Sequence, residues 1–408
     1  MEIEEIDNQI KNWVNDAIKK GYNIEELISL LNQESYNNDE IEKILAVFNL
    51  KSLDNNNLPR ISNKEISKSK PEGEKGFLGK IIKKKGEMQV SPEIKEVAEI
   101  ISKIKREVAK AVVGQEKVIE GFICALLCDG HVLLEGVPGI AKTLIVKTLA
   151  ETSGCSSKRI QFTVDLLPSD IIGITTYSPQ KGFETIKGPV FANFIIADEI
   201  NRSPPKTQSA LIEAMQEKQV TIGKETFKLP SPFFVMANNN PLETSGVYTL
   251  PEAQIDRFLF KLFIEYPQNK EEKEIMENNI TLKKFEDFNI KPILSPEKIL
   301  ELQRITKSIY IDERVKDYIV RIVEKTRKKD FEHGKYIEWG GSPRANIGIF
   351  IASKARALMN GRSYVIPKDV KDVVHSVLRH RIILNYKAKA ENITSDKIID
   401  EILGMIDI

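Results

Sequence analysis

Cysteine, histidine and tryptophan are scarce in this chain, at 3, 4 and 2 of 408 residues. Three cysteines, Cys124, Cys128 and Cys155, make no disulfide framework and suit a reducing compartment. Cys124 and Cys128 share the apolar segment GFICALLCDG, and no His or Cys pair elsewhere completes a zinc ligand set, so both read as core. Apolar runs of membrane-spanning length are missing, and the start, MEIEEIDNQI, is acidic and polar. A soluble, cytoplasmic protein is the expectation. Net charge is nearly absent as well: 60 Lys and Arg oppose 59 Asp and Glu, leaving +1. With neither a basic stripe nor interleaved aromatics, a nucleic-acid partner is disfavoured. No internal repeat is found, and the length allows two or three domains.

Residues 1–50 carry short apolar periodicities around Trp13, Ile18, Leu30 and Ile44, which predict a small helical interaction unit. Residues 51–90 shift to Asn, Ser, Lys, Pro and Gly, the composition of a flexible basic linker. Within it, residues 77–85 set Phe77, Leu78, Ile81 and Ile82 beside four lysines. Peripheral membrane contact is the minor reading there, a solvated linker the major one.

The stretch HVLLEGVPGIAKT organises the rest. A short apolar strand enters a loop of Gly136, Val137, Pro138, Gly139, Ile140 and Ala141, after which Lys142, Thr143 and Leu144 open a helix. Loop N–H groups and the helix N-terminus form an anion site. Lys142 is placed to reach β- and γ-phosphates, and Thr143 to put its hydroxyl on Mg²⁺. Ala141 replaces the last glycine of the usual phosphate-loop pattern, and its methyl group is small enough to be tolerated. FIIADEINR is an apolar strand running into Asp198 and Glu199; buried carboxylates need a partner, and a metal ion with an attacking water supplies one. On an extended backbone the two side chains would point apart, one to the metal shell and one to the water.

Further downstream, PFFVMANNNP ends a strand in Asn240, where open α/β sheets face their ligand. In LPEAQIDRF, Arg257 follows Asp256 at a spacing that does not pair them on a helix, which leaves Arg257 for another partner. Arg344 lies in the first turn of the helix led by Ser342 and Pro343, where a cation opposes the dipole and an external anion would compensate. His375 and His380 read as ordinary helix-face residues, and the run RHR around His380 as a solvated end. ITTYSPQKGFETIKG and the segment around Gly223 read as hairpins. Strand and helix alternate up to Tyr266, and helices dominate from Ser295.

Taken in order, GVPGIAKT, DLLPSDIIG, GPVFANFIIADEINRSPPKTQSALIEAMQE, NNNP, LPEAQIDRF and GGSPRA resemble the MoxR family of AAA+ ATPases, over roughly residues 91–385. The resemblance implies an α/β fold: an αβα P-loop core with a parallel sheet over 91–268 and a helical lid with its connector over 269–385; beyond it, the tail TSDKIIDEILGMID predicts a C-terminal helix within 386–408. It implies ATP and Mg²⁺, with Lys142 and Thr143 as Walker A, and Asp198 (on Mg²⁺) and Glu199 (base for water) as Walker B. Asn240 is then sensor one, Arg344 sensor two, and Arg257 the arginine finger offered to a neighbouring subunit. Val113, Gly114 and Gln115 would lie at the adenine. The two hairpins become candidate substrate-contacting elements. The family also implies a homo-oligomeric ring, usually a hexamer, and a protein client, often with a von Willebrand factor A domain, that is remodelled or matured. Alternatives are a nucleic-acid motor or chelatase-type subunit, and an ATP-gated binding scaffold. Val164 in place of a common Pro, and ANNNP in place of ATQNP, depart from the pattern.

Overall fold

The computed structural model describes residues 92–136, 142–239, 246–278 and 285–406. The unit expected over 1–50, the linker over 51–90 with its segment 77–85, loop residues Val137 to Ala141, and Asn240 lie outside the described residues.

Helix α1 (Pro92–Val108) buries Ile94, Val97, Ile101, Ile104 and Val108, the three- and four-residue spacing of one helical face. After α2 (Glu116–Leu127) come β1 (Val132–Glu135), α3 (Lys142–Thr152), β2 (Ser157–Gln161) and α4 (Pro168–Ile172). Next are β3 (Gly173–Ser178), β4 (Gly182–Lys187), β5 (Phe194–Asp198), α5 (Pro205–Glu217), β6 (Gln219–Ile222) and β7 (Glu225–Lys228). The α/β part closes with β8 (Phe234–Asn239), α6 (Glu252–Ile255) and β9 (Phe260–Phe263).

Five strands form one sheet in the order β2-β5-β8-β1-β9, and every neighbouring pair is parallel. Because both faces are covered, the central strands β1, β5 and β8 read as apolar runs, and all five residues of β5 are buried. Phe194 and Ile196 join the core beside α1, α2 and α3, while Ile195 and Ala197 join a second core with α5. The chain leaves β1 for the far edge at β2 and returns through β5 and β8. This reversal opens a crevice at the carboxyl ends of β1, β5 and β8.

The two expected hairpins, β3 with β4 and β6 with β7, are antiparallel ribbons separate from that sheet. At the root of the first, Gly173 (φ 110°) and Gly188 face each other so closely that a methyl group on either would collide with the carbonyl of Ile186 or Ile171. Toward its tip Tyr177 and Phe183 meet edge to face, ring centres 5.3 Å apart, and both are well exposed.

The helical part comprises α7 (Asn269–Asn278), α8 (Pro296–Ser308), α9 (Glu313–Lys328), β10 (Ile337–Trp339), α10 (Pro343–Met359), α11 (Pro367–Leu378), β11 (Ile383–Leu384), α12 (Tyr386–Ala390) and α13 (Ser395–Met405). Ser295 caps α8 by accepting from Lys298 N–H at 3.2 Å. Helix α10 packs on α9 and α11 and also on α1 and α2, so one hydrophobic core runs from the sheet face into this domain and reaches Ile398, Ile399 and Ile402 of α13. Cys124 is buried there, with its thiol directed at Ala352 O at 3.6 Å, as its apolar setting suggests. Among the described residues no helix is long and apolar enough to cross a membrane.

Candidate functional site

The phosphate-loop lysine and threonine stand where the sequence places them. Lys142 is the first residue of α3, Thr143 the second, and Lys142 Nζ donates to Gly136 O at 2.7 Å, across the mouth of the loop. The first turn of α3 contains no acidic residue, so its outward N–H groups and positive dipole end have no carboxylate of their own helix.

Asp198 ends β5, and Glu199 does not continue it: its φ and ψ are 56° and 50°, and a 3₁₀ turn, Ile200–Arg202, follows. The expectation of two side chains diverging on an extended backbone is therefore corrected. A left-handed turn separates them instead, at a cost of about 1 kcal/mol for a residue other than glycine. Asp198 is buried at the strand end and accepts from Arg159 Nε at 2.9 Å, from Arg159 Nη2 and from Asn238 Nδ2. Glu199 accepts from Gln161 Nε2 at 2.7 Å and pairs with Arg202 Nε at 3.1 Å. Its N–H donates to Asn238 Oδ1 at 2.5 Å.

None of these four partners was singled out in the sequence, and three of them come from other strands. Arg159 and Gln161 alternate with buried Ile160 on β2, and the β2–β5 register sets Gln161 opposite Asp198. With a period of two, Arg159, Gln161, Asp198 and Asn238 all face the α3 side of the sheet. The signal was present in the polar alternation of RIQ, but only the pairing of strands nearly 40 residues apart gives it a partner. Asn238 lies two positions before Asn240 in the sequence and is the amide seen on the acidic pair.

Val113, Gly114 and Gln115 form a tight turn into α2. Gly114 and Gln115 both have positive φ, at 71° and 59°, and Gln115 Nε2 donates to Glu265 O at 2.8 Å. This ties the turn to the segment after β9, the strand paired with β1. Leu144, one residue past Thr143, packs partly buried against the core of α3.

Arg257 is exposed between half-buried Asp256 and fully buried Phe258, and among the described residues it has no side-chain partner. Arg344 does have one: Nη1 donates to Asp256 Oδ2 at 3.0 Å, so the cation in the first turn of α10 is compensated from within the chain. Ser342, which leads this helix, occupies the cap backbone position but makes no side-chain cap bond.

The RHR run is corrected too, since it is not a solvated end. The Arg381 side chain is only 2% exposed, and its guanidinium N–H groups find Asp256 Oδ1 (2.7 Å), Asp256 O (3.0 Å), Phe258 O (2.7 Å), Leu259 O (3.1 Å) and Val377 O (2.5 Å). A guanidinium has five such donors, and all are satisfied. His380 is half-buried against Phe258 O at 3.1 Å, and desolvation of its ring together with Arg381 holds its pKa well below the usual value. Arg379 lies over the Phe263 ring and pairs with Asp396. Charges that look solvated in the sequence clamp the helical domain to the Asp256–Leu259 segment. His375, by contrast, is a helix-face residue, paired with Asp400 at 2.8 Å.

A parallel sheet whose strand β1 leads to the helix opened by Lys142 at a topological switch point, two acidic residues at the end of β5, two strands away in the sheet, and a helical lid define the class: an AAA+ P-loop core with its lid. The model for the ATPase family associated with various cellular activities matches residues 131–260, and that for the AAA lid domain matches residues 331–402. Chaperone MoxR1 of Mycobacterium tuberculosis is 48% identical over 306 residues, 74% of this chain and 80% of that protein. YeaC of Bacillus subtilis, an uncharacterized protein, is 42% identical over 310 residues, 76% of this chain and 95% of YeaC. A solved structure from Cytophaga hutchinsonii, described as that of a candidate ATPase, superposes with a TM-score of 0.72 at 44% identity, covering 81% of this chain and 99% of that one. The chain belongs to the MoxR family of AAA+ ATPases.

Proposed function

We propose that the chain hydrolyses ATP with Mg²⁺ in a ring of identical subunits and uses the cycle to remodel or mature a protein partner. The observation that carries this reading is that Lys142 opens the helix after β1 while Asp198 and Glu199 stand at the end of β5, at the carboxyl edge of the same parallel sheet, and that Arg257 is exposed and, among the described residues, has no side-chain partner.

In this reading Lys142 exchanges the Gly136 carbonyl for the β- and γ-phosphates, and the α3 N-terminus cradles them. Thr143 and Asp198 would hold the metal. Both offer hard oxygen ligands, and Asp198 already has a cationic partner in Arg159, so the site is built for positive charge. When bound, Mg²⁺ neutralises and orients the phosphates. Glu199 takes the proton of the attacking water, Asn240 positions that water, Arg344 senses the γ-phosphate of its own subunit and Arg257 that of the neighbour. Val113, Gly114 and Gln115 border the adenine. The heterologous contact that such sharing needs closes into a ring, with the family's hexamer as the expected size.

A protein client follows from kinship with a chaperone and from the exposed apolar surface of the first hairpin, where Tyr177, Phe183, Ile174 and Ile186 face solvent. By analogy with the family, that client carries a von Willebrand factor A domain. Glu199→Gln tests the chemistry. It is expected to retain ATP binding and lose about 100-fold or more in turnover. Unchanged turnover would remove Glu199 as the base.

A further inference from the structure

Asp256 joins two cations of very different mobility. Its Oδ1 accepts from Arg381 Nε at 2.7 Å, and its Oδ2 from Arg344 Nη1 at 3.0 Å. Arg381 cannot leave: it is buried, and its remaining donors hold the carbonyls of Asp256, Phe258, Leu259 and Val377. Arg344 can. Its side chain is 47% exposed, and a half-exposed ion pair of this kind is weak enough to be exchanged for a phosphate contact. Two of the carbonyls held by Arg381, those of Asp256 and Phe258, belong to the residues flanking Arg257, so the carboxylate that restrains Arg344 belongs to the clamped segment presenting Arg257 to solvent.

We infer that Asp256 is a positioning residue linking the two arginines: it latches Arg344 away from the subunit's own nucleotide, and release of that latch is registered by the segment that carries Arg257 to the neighbour. This rests on the roles proposed above for Arg344 and Arg257. Nucleotide arrival in one site then alters the finger offered to the next, so ATP hydrolysis around the ring is cooperative. The direction is specific. The latch opposes Arg344's contact with phosphate, so weakening it strengthens ATP binding, an effect that damage to the fold does not mimic.

The test uses the full chain. Asp256→Asn keeps an oxygen for Arg381 Nε but removes the charge that holds Arg344. Equilibrium binding of ATP is expected to tighten about two- to fivefold, the worth of an exposed ion pair, and the Hill coefficient of turnover to fall toward one. In Asp256→Asn combined with Arg344→Gln the gain disappears. Unchanged or weaker ATP binding in a folded Asp256→Asn chain overturns the latch. Arg344→Gln alone separates this failure from that of the underlying reading: if it leaves ATP affinity unchanged, Arg344 is not a phosphate contact, and both ideas fall together. Should Asp256→Asn not fold, hydrogen exchange of residues 252–262 serves in its place, measured in Glu199→Gln with and without Arg344→Gln. ATP is expected to change exchange there relative to ADP only while Arg344 is present. Identical exchange with both nucleotides, or an ATP effect that survives Arg344→Gln, refutes the coupling.

Discussion

Arg159 reaches across the β2–β5 pairing to Asp198, its Nε 2.9 Å from Oδ2 and its Nη2 on the same oxygen. The carboxylate proposed to serve the metal is thus held by a cation from its own chain.

Removing that cation leaves buried Asp198 with the Asn238 amide alone. Arg159→Ala is expected to lower the stability of the nucleotide-free chain by about 1–2 kcal/mol, discounted because the arginine is half exposed. Saturating Mg²⁺ with a non-hydrolysable ATP analogue should narrow the gap, since the carboxylate then has a new partner. Urea midpoints with and without that ligand measure it, and a gap that ligand leaves unchanged would separate Arg159 from the metal site.

Asn238 bonds both Asp198 and the Glu199 N–H. Asn238→Ala strips two buried groups of their partner, so a loss of about 1–3 kcal/mol is expected together with reduced turnover. Asn238→Asp should be worse in turnover, because a second carboxylate beside Asp198 repels it. Chemical denaturation and steady-state ATPase assays decide both points.

Arg257→Ala and Glu199→Gln are each expected to be inactive alone. Mixed in equal amounts they should recover about a quarter of wild-type turnover, the share of interfaces that combine an intact base with an intact finger in a randomly assembled ring. No recovery after verified subunit exchange would place Arg257 outside a shared site.

Burial lowers the pKa of His131 to about 4 from 6.5. The neutral ring is fixed between Val235 N–H, which donates to Nδ1 at 3.1 Å, and Met215 O, 3.2 Å from Nε2. The depressed native pKa means that the unfolded chain binds a proton first as pH falls. The stability contributed by the neutral ring is therefore complete above pH 6.5 and lost progressively toward pH 4, by about 3 kcal/mol in all. His380, whose desolvated ring is shifted the same way, adds to the slope. Unfolding free energies at pH 7 and pH 5 test this, and His131→Asn should flatten the profile.

The strand ends and helix start that frame the candidate crevice were legible in the sequence because their physics is local. A strand, a loop and a helix beginning with Lys142 form an anion site wherever they occur in that order, and an apolar run ending in Asp198 and Glu199 signals paired charge. What escaped is non-local. The partners of those carboxylates, Arg159, Gln161 and Asn238, come from strands joined to β5 only by parallel pairing. Arg381 was hidden for another reason: a basic run after a helix reads as solvated, and only the approach of the Asp256–Leu259 carbonyls shows a built receptor for it. The turn at Glu199 was missed because an apolar strand predicts its own continuation, and nothing in the residue type announces a left-handed backbone.

The pinched root of the first hairpin has a mechanical consequence. With Gly173 and Gly188 in backbone contact, the ribbon has no room to bend where it leaves α4. Two six-residue strands extend about 20 Å beyond that root. A stiff arm rooted in this way would convert a small tilt of α4 into a much larger sweep at Tyr177 and Phe183, the geometry of a lever and not of a spring.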